Sequence, residues 1–197
     1  MRTIYIIRHG ETDWNKGRLF QGQTDIPLNE TGRLQAAKLA TTLADILPFD
    51  RIVTSDLIRA VETAEILHHG FSSPILTDPG FREIDFGEWE GLGQETIEER
   101  WPGQLQKWFD SGLLQPPGGE EQERFYDRVW QAFRRWADRE DYEKMALICH
   151  GGVCRVLHCA IQGLPVNDMN SFIMKNTEML VAYADGQGRY SLAPRVS

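Results

Sequence analysis

The sequence predicts an α/β protein, and three observations carry that expectation. Strand-like and helix-like stretches alternate along its 197 residues, the order expected of a sheet with helices on its faces. The apolar run Ile4-Tyr5-Ile6-Ile7 delivers Arg8 and His9, side by side, into a turn at Gly10. A second buried-strand run, Met145-Ala146-Leu147-Ile148-Cys149, ends the same way in His150-Gly151-Gly152, ahead of a helical pattern from Val153. The carboxyl ends of strands in such sheets open into the ligand crevice, so the two ends are expected to converge there as a two-histidine pocket suited to an anion.

The elements follow in order. Thr3 to Ile7 reads as the first strand, and a Gly- and Asn-containing loop runs to Gly22. Leu28-Asn29-Glu30-Thr31 leads into an amphipathic helix with Leu34, Ala37, Leu39, Leu43 and Leu47 among its apolar positions, ended by Pro48. Arg51 to Thr54 is the second strand, and Ser55 and Asp56 are the expected caps of a helix holding Arg59, Ala60, Thr63, Ala64 and Leu67. Pro74 to Thr77 is a third strand. From Gly87 to Gly119 the periodicity loosens, with Trp89, Trp101, Trp108 and Phe109 among polar residues before Pro116-Pro117-Gly118-Gly119, the pattern of a lid-like insertion. Glu120 to Arg139 returns to helical spacing, with Phe125, Val129, Ala132, Phe133 and Trp136 on one stripe. Met145 to Cys149 is the fourth strand, and the helix after it runs through Ile161 and closes at Gly163 and Pro165. Phe172 to Met174, Met179 to Tyr183 and Tyr190 to Leu192 suggest further strands, one pair forming a hairpin across Asp185-Gly186-Gln187-Gly188.

The length suits a single domain, 1–197, with the insertion at 87–119. A formal net charge of −8 argues against a nucleic-acid surface, which needs a basic stripe. No apolar run is long enough to span a bilayer, so no membrane partner is expected. The short first apolar run leads directly into Arg8 and His9 without a leader, and Cys149, Cys154 and Cys159 have neither disulfide nor zinc spacing. A cytoplasmic protein with reduced, core-packed cysteines and no metal site is expected.

The chemistry that suits these residues is phosphoryl transfer. Hydrolysis of a phosphate ester is very slow in water, so a catalyst must neutralise the phosphoryl oxygens and supply a nucleophile. Arginine binds two oxygens at once and keeps its charge near neutrality. A neutral imidazole whose Nδ1 proton is held by a carbonyl presents Nε2 as a nucleophile. The leaving oxygen also needs a proton, and Glu83, Asp85, Glu88 and Glu90 compete for that role, with Glu83 the first choice beside Phe81 and Phe86.

Arg8-His9-Gly10-Glu11-Thr12 followed by Asn15, and Gln21-Gly22-Gln23-Thr24-Asp25-Ile26-Pro27-Leu28-Asn29-Glu30-Thr31-Gly32, resemble the opening of the histidine phosphatase superfamily, which includes the phosphoglycerate mutases. Ser55-Asp56-Leu57-Ile58-Arg59-Ala60-Val61-Glu62-Thr63-Ala64, Arg82-Glu83-Ile84-Asp85-Phe86-Gly87-Glu88-Trp89-Glu90-Gly91, Pro117-Gly118-Gly119-Glu120 and His150-Gly151-Gly152-Val153 follow in the family's order. The resemblance implies a three-layer, phosphoglycerate mutase-like fold, with a mixed, mainly parallel sheet flanked by helices. It also implies that His9 is the phosphorylated nucleophile and that Arg8, Arg59 and His150 line the phosphate pocket. Asn15 would donate a further hydrogen bond, Gln21, Gly22 and Gly151 would border the substrate, and Glu83 would be the proton donor. The chain departs from the pattern at Cys149, where relatives commonly carry Ser or Thr, and at Glu178, where a small residue is more usual.

The implied function is a cofactor-independent phosphomonoesterase acting on a small phosphorylated metabolite, as a monomer or homodimer. The turn Phe86-Gly87-Glu88-Trp89-Glu90-Gly91 is similar to that of α-ribazole phosphatases and of broad-specificity phosphatases. A cofactor-dependent phosphoglycerate mutase would use the same pocket with added cations for the substrate carboxylate, for which the lid offers chiefly Arg100 and Lys107. A non-catalytic phosphate-binding scaffold would be expected to lose Arg8, His9, Arg59 or His150, and all four are present.

Overall fold

A computed structural model describes residues 1–111 and 115–194. Six strands form one sheet: β1 (Arg2–Arg8), β2 (Arg51–Thr54), β3 (Ile75–Thr77), β4 (Lys144–Cys149), β5 (Met179–Ala184) and β6 (Tyr190–Leu192). Their spatial order is β3-β2-β4-β1-β5-β6, parallel from β3 to β1 and antiparallel at β5 and β6. The expected mixed, mainly parallel sheet is therefore present. The β5–β6 hairpin was legible in the tail, whereas Phe172 to Met174 is not a strand and follows a 3-10 turn at Val166–Ser171.

The helices are α1 (Asp13–Lys16), α2 (Glu30–Thr42), α3 (Ile58–His68), α4 (Gln94–Arg100), α5 (Gln104–Ser111), α6 (Gln122–Ala137) and α7 (Gly151–Gln162). Successive side chains of a strand point to opposite faces, so each central strand feeds two cores. Met145, Leu147 and Cys149 of β4, with Ile4 and Ile6 of β1, pack with Phe125, Val129 and Phe133 of α6 and Val153 and Leu157 of α7. Ala146 and Ile148, with Ile7 and Ile52, pack with Ala60, Ala64 and Leu67 of α3 and Leu39 and Ala40 of α2. The sheet is the middle of three layers. All three cysteines are buried, as expected of core-packed residues. Among the described residues no helix is long and apolar enough to cross a membrane.

Three boundaries differ from the sequence reading. Helix α2 stops at Thr42, five residues short of the expected apolar stripe's last member, and Leu34 is 66% exposed. Leu34, Ala37 and Leu39 lie within α2, whereas Leu43 and Leu47 follow it in the turns and loop ahead of β2. Helix α7 begins at Gly151, directly after His150, so the glycines form its first turn. The stretch from 87 to 119 contains α4 and α5, with residues 112–114 outside the described part.

The turn after β1 is set by contact with the start of α2. Asn29 caps α2 by accepting from Gly32 N–H at 2.8 Å, and its side-chain amide donates to Glu11 at 3.0 Å. Gly32 lies so close to this turn that a Cβ there would meet Glu11 O at 2.1 Å, and one at Gly10 would meet Gly32 O at 2.5 Å. Two backbones touch where no side chain fits. Gly32→Ala is therefore expected to lower the unfolding free energy by about 2–3 kcal/mol, read from the midpoint of a urea transition. Leu34→Gln, on an exposed face two residues away, is expected to change it by less than about 0.5 kcal/mol; similar midpoints for the two variants would contradict the contact.

Candidate active site

Strands β1 and β4 are parallel neighbours with Arg8 opposite Cys149, so the residues that follow, His9 and His150, leave the sheet side by side. His9 N–H donates to Cys149 O at 2.9 Å, and the two imidazole centroids lie 5.2 Å apart. Both rings are buried, His9 at 3% and His150 at 0% exposure. Their tautomers follow from partners that have only one hydrogen-bonding sense. A carbonyl only accepts, so His9 Nδ1, 2.6 Å from Gly10 O, carries the proton and leaves Nε2 as a lone pair. A guanidinium only donates, so His150 Nδ1, 3.2 Å from Arg59 Nε, is the bare nitrogen and Nε2 carries the proton. That Nε2–H is buried and without a partner among the described residues. Burial first, and then the positive charges of Arg59 and Arg8, push the His9 imidazole well below its usual range. Burial and Arg59, then His9 and Arg8, do the same to His150.

Arg59 is the second residue of α3 and has no exposed surface. Its guanidinium donates to Thr24 O at 2.9 Å and Gly22 O at 2.6 Å as well as to His150. Burial brings it down to about 10, and the carboxylates of Glu83, Asp25 and Glu90 counter that effect, so the group is still a cation near neutrality. The loop that supplies the two carbonyls is held by Glu90, which accepts from Gln23 N at 2.8 Å, Thr24 N at 2.9 Å, Phe86 N at 3.1 Å and the Thr24 hydroxyl. Gly22 has φ +52°, and a Cβ on it would run into the Glu90 carboxylate. The start of α3 is capped from this loop too: Asp25 accepts from Ile58 N–H at 2.7 Å. The caps expected at Ser55 and Asp56 are otherwise engaged. Ser55 Oγ accepts from Leu57 N at 3.3 Å, and Asp56 forms a two-point ion pair with Arg82.

Arg8 donates through Nη1 to Met174 O at 2.5 Å, while its Nε is buried without a partner among the described residues, and burial lowers its affinity for the proton. Glu83 accepts from Ile84 N at 3.0 Å and from Gly152 N, in the first turn of α7, at 2.9 Å. A Cβ on Gly152 would fall 2.2 Å from that carboxylate, so glycine lets the acid reach the helix end. Gln21 accepts from the Thr12 hydroxyl at 2.8 Å, and Gly151 lies beside the Arg8 guanidinium. Arg8, His9, Asn15, Gln21, Gly22, Arg59, Glu83 and Gly151 all line one cavity of about 300 Å³. His150, the remaining expected residue, is not among the lining residues; its ring packs edge-on against that of His9, with Nε2 buried.

Among the four acids weighed for proton donation only Glu83 lines the cavity. Glu90 holds the Gln23–Thr24 loop, and Asp85 accepts from Gly87 N at 2.8 Å. Arg100 and Lys107, the lid cations of the sequence reading, do not line it either; from this stretch α5 presents the aromatic residues Trp108 and Phe109 instead. The further cations at the cavity are Arg18 and Arg155. Arg155 could have been found from the sequence, since it lies four residues after Gly151 and so on the same helix face. Arg18, at φ +56° after α1, carries no such signal. Asn176 was also missed; its side-chain amide donates to His9 O at 2.9 Å. At Glu178 the backbone carbonyl accepts from Arg8 N–H at 3.1 Å, and the carboxylate accepts from Lys175 N at 2.8 Å. Cys149 places its sulfur 3.6 Å from that of Cys154, beneath the histidine.

Residues 4–194 match the family model of the histidine phosphatase superfamily (branch 1). The chain is 33% identical over 175 residues to the glucosyl-3-phosphoglycerate phosphatase of Mycolicibacterium vanbaalenii, covering 85% of this chain and 77% of that protein. It is similar in structure to Bacillus stearothermophilus YhfR, with a TM-score of 0.91 and 34% identity over 98% of this chain and 96% of that one. The α-ribazole phosphatase from Shigella flexneri matches at a TM-score of 0.88 and 27% identity, over 97% and 94% of the two chains.

Two imidazoles held neutral in the native state make stability depend on pH. Below about pH 6.5, the ordinary imidazole value, the unfolded chain binds protons that the native protein does not. Stability contributed by these groups is complete above that pH and declines below it, with a slope approaching about 2.7 kcal/mol per pH unit for the pair. Urea unfolding at pH 7.5, 6.0 and 5.0 should show that decline, and His9→Asn should remove about half of the slope. A variant with the wild-type slope would reject the assignment.

Proposed function

The chain belongs to the histidine phosphatase superfamily, and on that premise we propose that it hydrolyses a small phosphomonoester by passing the phosphoryl group through His9 to water. The observation that carries this reading is the pair of opposed tautomers. His9 offers a lone pair at Nε2, because Nδ1 is committed to Gly10 O. His150 offers a buried N–H donor, because its Nδ1 is committed to Arg59. One ring is suited to attack phosphorus and the other to hold a phosphoryl oxygen.

In the first step His9 Nε2 bonds to phosphorus while the bond from phosphorus to the ester oxygen breaks. Glu83 supplies the proton that the departing alkoxide needs. In the second step Glu83 takes a proton from water as its oxygen bonds to phosphorus, the phosphorus–nitrogen bond breaks, and inorganic phosphate leaves. Arg8 and Arg59 hold the phosphoryl oxygens through both steps, and Asn15, Gln21, Gly22 and Gly151 border them. This arrangement gives the guanidinium groups and His150 the role that a metal cation plays elsewhere.

The leaving group would lie among Phe20, Phe86, Trp108, Phe109, Met169 and Met174, which favour an organic body with apolar faces. The participation of Trp108 and Phe109 supports reading 87–119 as a cover over the site within a single domain, 1–197. α-Ribazole phosphate fits such a wall and is the first candidate substrate. Arg18 and Arg155 at the same cavity favour a second reading, in which the substrate also carries a carboxylate, as phosphoglycerates do, and the phosphoryl group is returned to a second hydroxyl. Release of inorganic phosphate from a panel containing both classes, run beside a mutase assay, separates the two. The expected setting is the cytoplasm, with the enzyme as a monomer or homodimer.

Labelled phosphomonoester quenched in alkali should leave acid-labile phosphate on His9, and His9→Ala should abolish turnover; label on serine or cysteine would reject the mechanism. Glu83→Gln should slow alkyl phosphates by about 10²–10⁴-fold and nitrophenyl phosphate far less, because nitrophenolate departs without a proton. Equal slowing of both would move the acid role to another group.

A further inference from the structure

We infer that Asn176 is a positioning residue for the phosphoryl pocket: it sets the orientation of the Asn15 side-chain amide, so that a donor rather than an acceptor faces the anion. The inference rests on the reading above, in which Asn15 borders the bound phosphoryl group.

A carboxamide can be turned over at little cost, and its two faces are opposites, an oxygen that accepts and a nitrogen that donates. A phosphate only accepts, so a turned amide would present repulsion where attraction is needed. The orientation here is determined by backbone groups that have one sense only. Thr12 N–H, which can only donate, lies 3.2 Å from Asn15 Oδ1. That oxygen is therefore the acceptor on the helix side. Asn176 presents to the same oxygen, at 3.2 Å, the atom that also lies 2.9 Å from His9 O. A carbonyl can only accept, so that atom is Nδ2, and it donates to both.

The two obligate groups, one at each end of the chain of contacts, agree with each other. The remaining donor, Asn15 Nδ2, has no protein partner among the described residues, and Asn15 lines the cavity beside His9. Asn176 is itself held in place by the backbone. Thr177 N–H donates to Arg8 O at 3.0 Å, Arg8 N–H donates to Glu178 O at 3.1 Å, and Thr177 turns the chain at φ +59°. The turn ahead of β5 is thus fastened to the end of β1 and delivers one amide to two site residues.

The test is a double-mutant cycle on the full chain, read as the inhibition constant of orthovanadate and as kcat/KM for nitrophenyl phosphate. Asn15→Ala should weaken both by about tenfold, the loss of one charge-assisted hydrogen bond. Asn176→Ala should weaken them by a similar factor, and the double variant should be no worse than Asn15→Ala alone. Asn176→Asp keeps the shape and removes the donor, and its oxygen favours the turned Asn15 amide. It should therefore be worse than Asn176→Ala when Asn15 is present, with that excess reduced in the Asn15→Ala background. Should Asn176→Ala fail to fold, the isosteric Asp variant carries the comparison alone. Effects of Asn15→Ala and Asn176→Ala that multiply, or Asn176 variants equal to wild type beside a weakened Asn15→Ala, would overturn the positioning role while leaving the phosphatase reading intact. Wild-type vanadate inhibition in Asn15→Ala would instead remove Asn15 from the phosphoryl pocket, and the positioning role with it.

Discussion

The buried guanidinium of Arg59 is the constraint on which the rest of the site depends. A charge without exposed surface is costly unless every donor is used, and here the donors reach a ring nitrogen of His150 and two carbonyls of the Gly22–Thr24 loop. Each of those bonds does something beyond satisfying the cation. The contact with His150 decides which nitrogen of that ring carries the proton. The carbonyl contacts bring the chain at Gly22 and Gln21 to the edge of the cavity. Among the described residues no carboxylate forms an ion pair with Arg59, and Asp25, Glu83 and Glu90 act on its charge only at a distance.

The same economy governs the two helices that point at the site. The first turn of an α-helix has unsatisfied N–H groups and a partial positive charge, which suits an anion. Neither α3 nor α7 is capped by a side chain of its own N-cap residue. Asp25 takes one N–H of α3 and Glu83 takes one of α7, each from a segment far away in the chain. These carboxylates tie the loops to the helix ends, which is how segments from opposite parts of the chain come to surround one cavity.

Much of the fold was legible. The four parallel strands, the hairpin in the tail and the amphipathic stripe of α6 are all carried by local periodicity, and local periodicity survives folding when one face of an element is buried. Of the nine residues expected at the site, eight line one cavity and His150 packs against His9; Arg8, His9, His150 and Gly151 were marked by their place at the ends of apolar strands, and the other five by the resemblance to the family. The misread caps of α3 depend on a contact between segments more than thirty residues apart, that of Asp25 with Ile58. Leu34 looked like a core residue because its spacing matched, but the sheet passes on the other side of the helix.

By itself the sequence determined which groups are available: two histidines at strand ends, an arginine beside one of them, an arginine in a helix's first turn, and a choice among four acids. The tertiary structure decided their states. The parallel register of β1 and β4 sets the separation of the imidazoles, since Arg8 opposite Cys149 leaves the next residues adjacent. The tautomer of His150, the position of Glu83 at the cavity and the Asn176 contact with the Asn15 amide depend on partners distant in the chain, whereas the tautomer of His9 is set by the adjacent Gly10 carbonyl. The physical reason is that a side chain's identity fixes what it can donate or accept, whereas which of those capacities faces a ligand depends on which ones the surrounding backbone has already taken.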